Sequence, residues 1–68
     1  MSNFETNILV AVTPLLKEGE TATWFHNTLF VVCRMSTLSR IARACTDTAK
    51  SPIDINPIDG QEYAIDFV

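Results

Sequence analysis

Apolar residues recur with a helical period in one part of the chain, between Ser36 and Ser51. The residues that carry this period are Leu38, Ile41, Ala42, Cys45 and Ala49. Projected at 100° per residue, they fall within an arc of about 100°, the width of a buried helix stripe. Ser36 or Thr37 is a favourable N-cap, and Pro52 cannot continue a helix. The pattern predicts one amphipathic helix over about residues 37–50.

The N-terminal segment has a pattern that favours a β-strand. Its apolar side chains of equal parity are Phe4, Ile8, Val10 and Val12. Isoleucine and valine favour strands, and alternation places equal parity on one face. Pro14 would end this strand or put it at a sheet edge, because proline cannot donate to a ladder. A short helix over residues 14–18, with Thr13 as its N-cap, is the second interpretation.

Residues 21–34 are dominated by threonine, aromatic and β-branched residues, which predicts strand structure. His26-Asn27 can bend this segment into a hairpin, because asparagine tolerates left-handed geometry. One long strand is equally compatible with the pattern.

The segment after the helix also alternates in the manner of strands. Asp59-Gly60 predicts a tight turn, and Pro57 predicts that the strand before it is short or lies at an edge. We therefore predict an α+β fold: a small antiparallel sheet of three to five strands with the helix packed on one face. A chain of 68 residues makes a single domain, spanning residues 1–68.

One helix covers only one face of a sheet, yet several predicted strands are apolar on both faces. Trp24 and Phe25 are neighbours, so one of the two rings faces away from the helix. The second face would carry one of these rings and some of Leu9, Ala11, Phe30 and Val32. A homodimer partner, a target protein or a misassigned segment of the chain would cover it.

Charge is distributed unevenly along the chain, whose net charge is −3. Residues 34–50 carry +3, whereas residues 51–68 carry −4. Arg40, Arg43 and Lys50 lie opposite the apolar stripe, and Asp47 can pair with a basic neighbour. This face is either a solvated surface with internal ion pairs or a contact surface for an acidic protein. Nucleic-acid binding is disfavoured, because such domains usually have a pI above about 9 and this chain has a pI near 4.7.

The residues that could perform catalysis do not form a known pattern. His26 and Cys33 have an odd separation, which places them on opposite faces of a strand. A zinc site needs three or four ligands at short spacing, and none is present in the sequence. Asp54 and Asp66 are best explained as solvated charges at a sheet edge. We predict no enzyme activity, no metal and no cofactor.

Two cysteines do not make a disulfide scaffold, so Cys33 and Cys45 are expected to be reduced core residues. The apolar run Ile8 to Leu16 is too short to cross a bilayer and has no basic residues before it. These features predict a protein without a membrane segment, in the cytoplasm of a bacterium or a virus-infected cell.

The properties together favour a small non-enzymatic module that binds another protein. A stand-alone inhibitor or adaptor, such as a phage-encoded inhibitor of the anti-CRISPR type, suits this size and chemistry. The alternative is a nucleic-acid-binding or transcription-modulating protein that uses the basic helix face. The predicted partner-binding residues are Trp24, Phe30, Val32, Arg34, Arg40, Arg43 and Lys50.

Overall fold

The computed structural model describes residues 3–67 and has an α+β fold, which confirms the predicted class. Two helices pack against the same face of a four-stranded antiparallel sheet. The elements in chain order are α1 (Asn3–Val12), a 3₁₀ turn (Thr13–Leu15), β1 (Thr21–Phe25), β2 (Thr28–Val32), α2 (Met35–Ala49), β3 (Ile53–Asp59) and β4 (Glu62–Phe67).

The sheet consists of two hairpins joined side by side, in the strand order β1-β2-β4-β3. His26 and Asn27 form the first turn with positive φ angles of 49° and 60°, so the hairpin interpretation of this segment is correct. Both angles fit the left-handed positions of a type I′ turn. Gly60, with a φ of 55°, opens the second turn as predicted. β3 lies at an edge, as Pro57 required.

A single apolar layer fills the space between the helices and the sheet. Its buried members are Ile8, Val12, Leu29, Val31, Cys33, Leu38, Ile41, Cys45 and Ile65. The α2 residues in this layer belong to the predicted helical stripe. Cys33 and Cys45 are free thiols and buried, as predicted. Burial raises the pKa of the Cys45 thiol to about 11, and it raises the pKa of Cys33, where the nearby Glu20 charge adds to the effect.

The predicted N-terminal strand is wrong, because Asn3–Val12 forms α1. Ile8 and Val12 are separated by one helical turn and are fully buried. Val10, which would share their face on a strand, is 67% exposed. Leu9 and Ala11 consequently lie on a helix and not on the second face of the sheet. The segment that was misassigned is therefore the second helix of the inner layer.

The start of α2 also differs from the prediction. The helix begins at Met35 with Arg34 as its N-cap, so neither Ser36 nor Thr37 has that role. Thr37 is instead buried in the first turn of the helix. The helix ends at Ala49, and its C-cap Lys50 adopts a left-handed φ of 57° and donates its N–H to the carbonyl of Thr46.

Ile65 should be one of the residues on which the stability of the core depends most, because it is fully buried in the central strand β4. We expect Ile65→Ala to lower the free energy of unfolding by about 2–5 kcal/mol. Ile58→Ala removes the same atoms from a side chain that is 53% exposed, and its effect should stay within about 0.5 kcal/mol. Urea denaturation of both variants measures the difference, and equal losses would contradict the assignment of the core.

Candidate functional site

The sheet face turned away from the helices, here called the outer face, is the main candidate surface. Strand register places eleven side chains on it: Thr21, Thr23, Phe25, Thr28, Phe30, Val32, Asp54, Asn56, Glu62, Ala64 and Asp66. Phe30 lies between Thr23 and Ala64 on the neighbouring strands. Among residues 3–67, no helix or loop packs over this face. The outer face therefore presents a surface to any molecule that approaches the sheet.

The half of the outer face formed by β1 and β2 is uncharged and combines threonines with three large apolar side chains, and it is here called the apolar half. Phe25 is 59% exposed and Phe30 is 36% exposed, and Val32 lies one pleat further along β2. The His26 ring packs edge-on against Phe25 with 4.0 Å between ring centroids. Large apolar side chains on an uncovered face gain about 25 cal/mol for each Å² that a partner removes from water. This half is suited to hydrophobic contact.

The half formed by β3 and β4 is acidic. Its carboxylates belong to Asp54, Glu62 and Asp66, with Asp59 at the end of β3. Asp54 and Asp66 are directly opposite each other in the register, an arrangement that is unfavourable for like charges. No lysine or arginine occupies any of the four described strands, so no cation on the sheet balances this charge.

Hydrogen bonds hold the Asp66 carboxylate in place. Thr28 donates its hydroxyl to Oδ1 at 2.7 Å, and Asn56 donates its amide to Oδ2 at 3.0 Å. Asp54 is exposed, and a general acid would need a desolvated pocket around one of the two carboxyls. Asp54 and Asp66 therefore contribute negative charge to the surface of the outer face.

Of the two adjacent aromatic residues Trp24 and Phe25, Trp24 is the one whose ring faces the helices. It lies 5.8 Å from the Phe4 ring and 5.4 Å from the Phe67 ring, measured between centroids. Phe4 and Phe67 also meet edge to face at 5.3 Å. This aromatic cluster joins the start of α1 to the sheet. Phe25, not Trp24, is consequently the aromatic residue that β1 offers on the outer face.

The basic residues of α2 lie on the opposite surface of the molecule. Arg40, Arg43 and Lys50 are exposed on the solvent side of the helix, as predicted. Within residues 3–67, Asp47 makes no ion pair with Arg43 or Lys50 at 4.0 Å or less, so the expected internal pairing does not form. The predicted partner-binding residues thus separate into an outer-face group, a helix-face group, the half-buried Trp24 and Arg34, which lies before α2.

Arg34 belongs to a polar junction that connects three segments around the Glu20 carboxylate. Glu20 Oε2 accepts hydrogen bonds from the Arg34 backbone N–H at 3.0 Å and from the Thr37 hydroxyl at 3.1 Å. The Arg34 guanidinium forms an ion pair with the same oxygen at 3.1 Å. Oε1 accepts the N–H of Lys17 at 2.7 Å. The side chain of Glu20 is only 4% exposed, whereas that of Arg34 is 55% exposed and still accessible.

These donors hold the pKa of Glu20 at about 2, against its ordinary value of 4.5. The hydrogen bond from the Arg34 backbone is the largest cause, and burial acts in the opposite direction. The bonds from Lys17 and Thr37 and the charge of Arg34 lower the pKa further. Sequence reasoning did not identify Glu20, because only Lys17 is close to it along the chain, and Arg34 and Thr37 are 14 and 17 residues away.

α1 borders a shallow open groove of about 480 Å³, which the sequence analysis also missed. The groove is lined almost wholly by apolar atoms, from residues Thr6, Leu9, Val10, Thr13 and Pro14. It follows the side of α1 that is turned away from the core. A helical interpretation of residues 3–12 would have revealed it, since Val10 then points away from Ile8.

The described part of the chain contains no group of three or more histidine, cysteine or acidic side chains that could hold a metal ion. No helix within residues 3–67 has the length and apolar character needed to cross a membrane. No family model, curated protein or solved structure matches the chain.

The contribution of Glu20 to the stability of the fold should depend on pH. Its pKa is lower in the folded than in the unfolded state, so the contribution is complete above about pH 4.5 and is lost as the pH falls towards 2. We expect Glu20→Gln to be less stable than wild type at neutral pH, with the difference shrinking below pH 4.5.

Urea denaturation from neutral to acidic pH measures this difference, and Glu18→Gln, at an exposed neighbouring position, is the matched control. A constant difference between wild type and Glu20→Gln across the whole range would show that the carboxylate charge has no part in the junction.

Proposed function

We propose that this protein acts by binding another protein through the outer face of its sheet, as a stand-alone inhibitor or adaptor. The observation that carries the proposal is an uncovered sheet face on which Phe25 and Phe30 are both exposed, as diagonal neighbours on β1 and β2. Aromatic anchors within a polar surround are the usual centre of a protein-binding surface.

The charges of the outer face favour a particular kind of target. Carboxylates occupy the β3–β4 half, and the four described strands contain no lysine or arginine. A complementary surface combines an apolar depression, which receives Phe30, with basic side chains that face Asp54 and Glu62. The target that we propose is therefore a protein with a basic and apolar contact surface.

The proposed setting follows from the cysteines and from the size of the chain. Cys33 and Cys45 are free thiols, which suits a reducing cytoplasm of a bacterium or a virus-infected cell. A phage-encoded inhibitor of host defence, of the anti-CRISPR type, is one such protein. That the protein is not an enzyme stays a prediction.

A second candidate function uses the basic side of α2. Arg40, Arg43 and Lys50 are exposed, and no carboxylate of residues 3–67 pairs with them within 4.0 Å. Unpaired guanidinium groups are suited to bind phosphates, as in a nucleic-acid-binding or transcription-modulating protein, or to bind an acidic protein. The acidic remainder of the chain opposes the nucleic-acid alternative.

Phe30→Glu tests the proposed function, because it places a charge at the centre of the apolar half. Wild-type protein with an affinity tag should recover a defined protein from the native host, and Phe30→Glu should lose it. We expect a loss of about 2 kcal/mol or more in binding free energy, measured by calorimetry with the recovered target.

Met35→Glu is the matched control, because Met35 is 68% exposed at the start of α2 and away from the outer face. It should bind the target as wild type does. Circular dichroism establishes that both variants are folded. Recovery of the target by folded Phe30→Glu at wild-type affinity would refute the use of the outer face.

The double variant Arg40→Glu, Arg43→Glu separates the two candidate functions. It should fold normally, since substitutions of exposed charges usually change stability by no more than about 0.5 kcal/mol. Binding that depends on Phe30 should persist, because the two arginines lie on the opposite surface. If instead the wild type binds generic DNA or RNA with steep salt dependence and the double variant does not, the nucleic-acid function is favoured.

A further inference from the structure

The two edges of the sheet differ in how they are protected against pairing with another strand. The β3 edge carries Pro57, a register irregularity between Pro57 and Asp59, and the charge of Asp54. Prolines, bulges and charges are the devices that block an edge. The β1 edge has none of these, because its sequence Thr21–Phe25 (TATWF) contains no proline, glycine or charged residue. β1 is thus a strand suited to pairing.

The hairpin register identifies which backbone groups point out of the β1 edge. Phe25 and Thr28 flank a two-residue turn and therefore exchange hydrogen bonds with each other. Hydrogen-bonded and non-bonded pairs alternate along a hairpin. The backbone N–H and C=O groups of Thr21, Thr23 and Phe25 therefore point towards β2, and those of Ala22 and Trp24 point outwards from the edge of the sheet. Among residues 3–67, no turn, loop or side-chain hydrogen bond engages the backbone of Ala22 or Trp24.

We propose that β1 pairs antiparallel with β1 of a second copy of this chain, with Thr23 on the two-fold axis. In this register Ala22 lies opposite Trp24 of the partner subunit, and the outward groups of both residues meet. Each such pair exchanges two hydrogen bonds, so the symmetric seam contains four. The two sheets then form one continuous sheet of eight strands.

The side chains at this seam are complementary in size. Trp24 meets Ala22 of the partner subunit on the helix side, where its ring already packs with those of Phe4 and Phe67. Phe25 meets Thr21 of the partner subunit on the outer face. At both places a large side chain lies against a small one, which avoids overpacking. The side chains of β1 are therefore complementary in size to those of β1 in a second copy.

The charge distribution also favours a second copy. The seam joins the neutral β1–β2 halves of the two outer faces, and the acidic β3–β4 halves lie at the far ends of the combined sheet. The four carboxylates of residues 51–68 in one copy are thus kept apart from those of the other. Pairing through the β3 edge would instead bring Asp54 and Asp59 of both copies together.

The helix layer can accommodate this pairing. α1 packs near β1 and α2 near β3, so the seam places α1 next to α1 of the partner subunit. Two strands span about 10 Å, which is also the usual distance between packed helix axes. α1 is the helix that leaves Val10 exposed beside an apolar groove. A second helix at this distance would give α1 a neighbour on the side that lacks one.

The pairing uses the edge of the sheet and leaves Phe30 accessible, so it does not rest on the proposed function. It would double the outer face into one surface with two apolar halves at its centre. Phe30→Glu would then abolish target binding without changing self-association, and the two proposals can fail separately.

A cysteine at the two-fold axis tests the register. In Thr23→Cys the two thiols would belong to a non-bonded pair with Cα atoms about 4.5 Å apart, within the range of a disulfide. The matched control Thr21→Cys places its two thiols about 13 Å apart, because each lies opposite Phe25 of the partner subunit. The native Cys33 and Cys45 are buried and do not compete.

On mild oxidation, Thr23→Cys should form a disulfide-linked dimer and Thr21→Cys should remain at least about tenfold less cross-linked. Equal cross-linking of the two variants, or none by Thr23→Cys, would overturn the proposal. Both substitutions lie at exposed positions, and the folded state is checked by circular dichroism.

Hydrogen exchange of the wild type gives a second measurement that needs no variant. The amides of Ala22 and Trp24 should gain protection as the protein concentration rises, whereas those of Thr21, Thr23 and Phe25 are protected by β2 at every concentration. A dimer in sedimentation whose Ala22 and Trp24 amides exchange freely would place the interface elsewhere and overturn the proposal. If the wild type is a monomer at high micromolar concentration, the proposal is also overturned.

Discussion

The architecture depends on the burial of one face of the sheet by two helices. A helix with its side chains is about 10 Å wide and covers about two strands, so α2 alone would leave the β1–β2 half of the inner face uncovered. Ile8 and Val12 of α1 fill that half and belong to the same apolar layer as the α2 stripe. Since both helices lie on one side, the other side of the sheet is exposed to solvent. The exposure of Phe25 and Phe30 is a direct consequence of this arrangement.

The connection between the hairpin and α2 is fixed by electrostatics more than by local capping. The first turn of a helix has backbone N–H groups without partners, and a carboxylate is favourable there. Glu20 supplies it from the start of β1 and binds Arg34 and Thr37 across the junction. Its low pKa shows that the charged form is the one that the fold stabilises. The junction also explains why Thr37, a good N-cap by type, points into the interior.

The features that the sequence predicted correctly are those with an unambiguous period. The α2 stripe, the turn at Asp59-Gly60 and the edge position of β3 follow from local residue types, whereas the turn at His26-Asn27 was one of two open alternatives. α1 was missed because Ile8 and Val12 are four residues apart, a spacing that fits one face of a helix and also one face of a strand. Val10 distinguishes the two, since it lies about 200° from Ile8 on a helix, but its β-branched side chain favoured a strand. Tertiary packing outweighed that propensity.

The positions of the candidate surfaces also could not be predicted from local sequence patterns alone. Strand alternation established that Trp24 and Phe25 lie on opposite faces, yet only the position of α1 decides which face is covered. Likewise, the separation between Phe30 and the α2 arginines is a property of the layers and cannot be derived from residue spacing. The hairpin register places the exposed rings of Phe25 and Phe30 close to the β1 edge of the sheet. The surface proposed for hydrophobic contact and the edge proposed for strand pairing are therefore adjacent. The basic face of α2 lies away from both and can steer a partner without entering the contact.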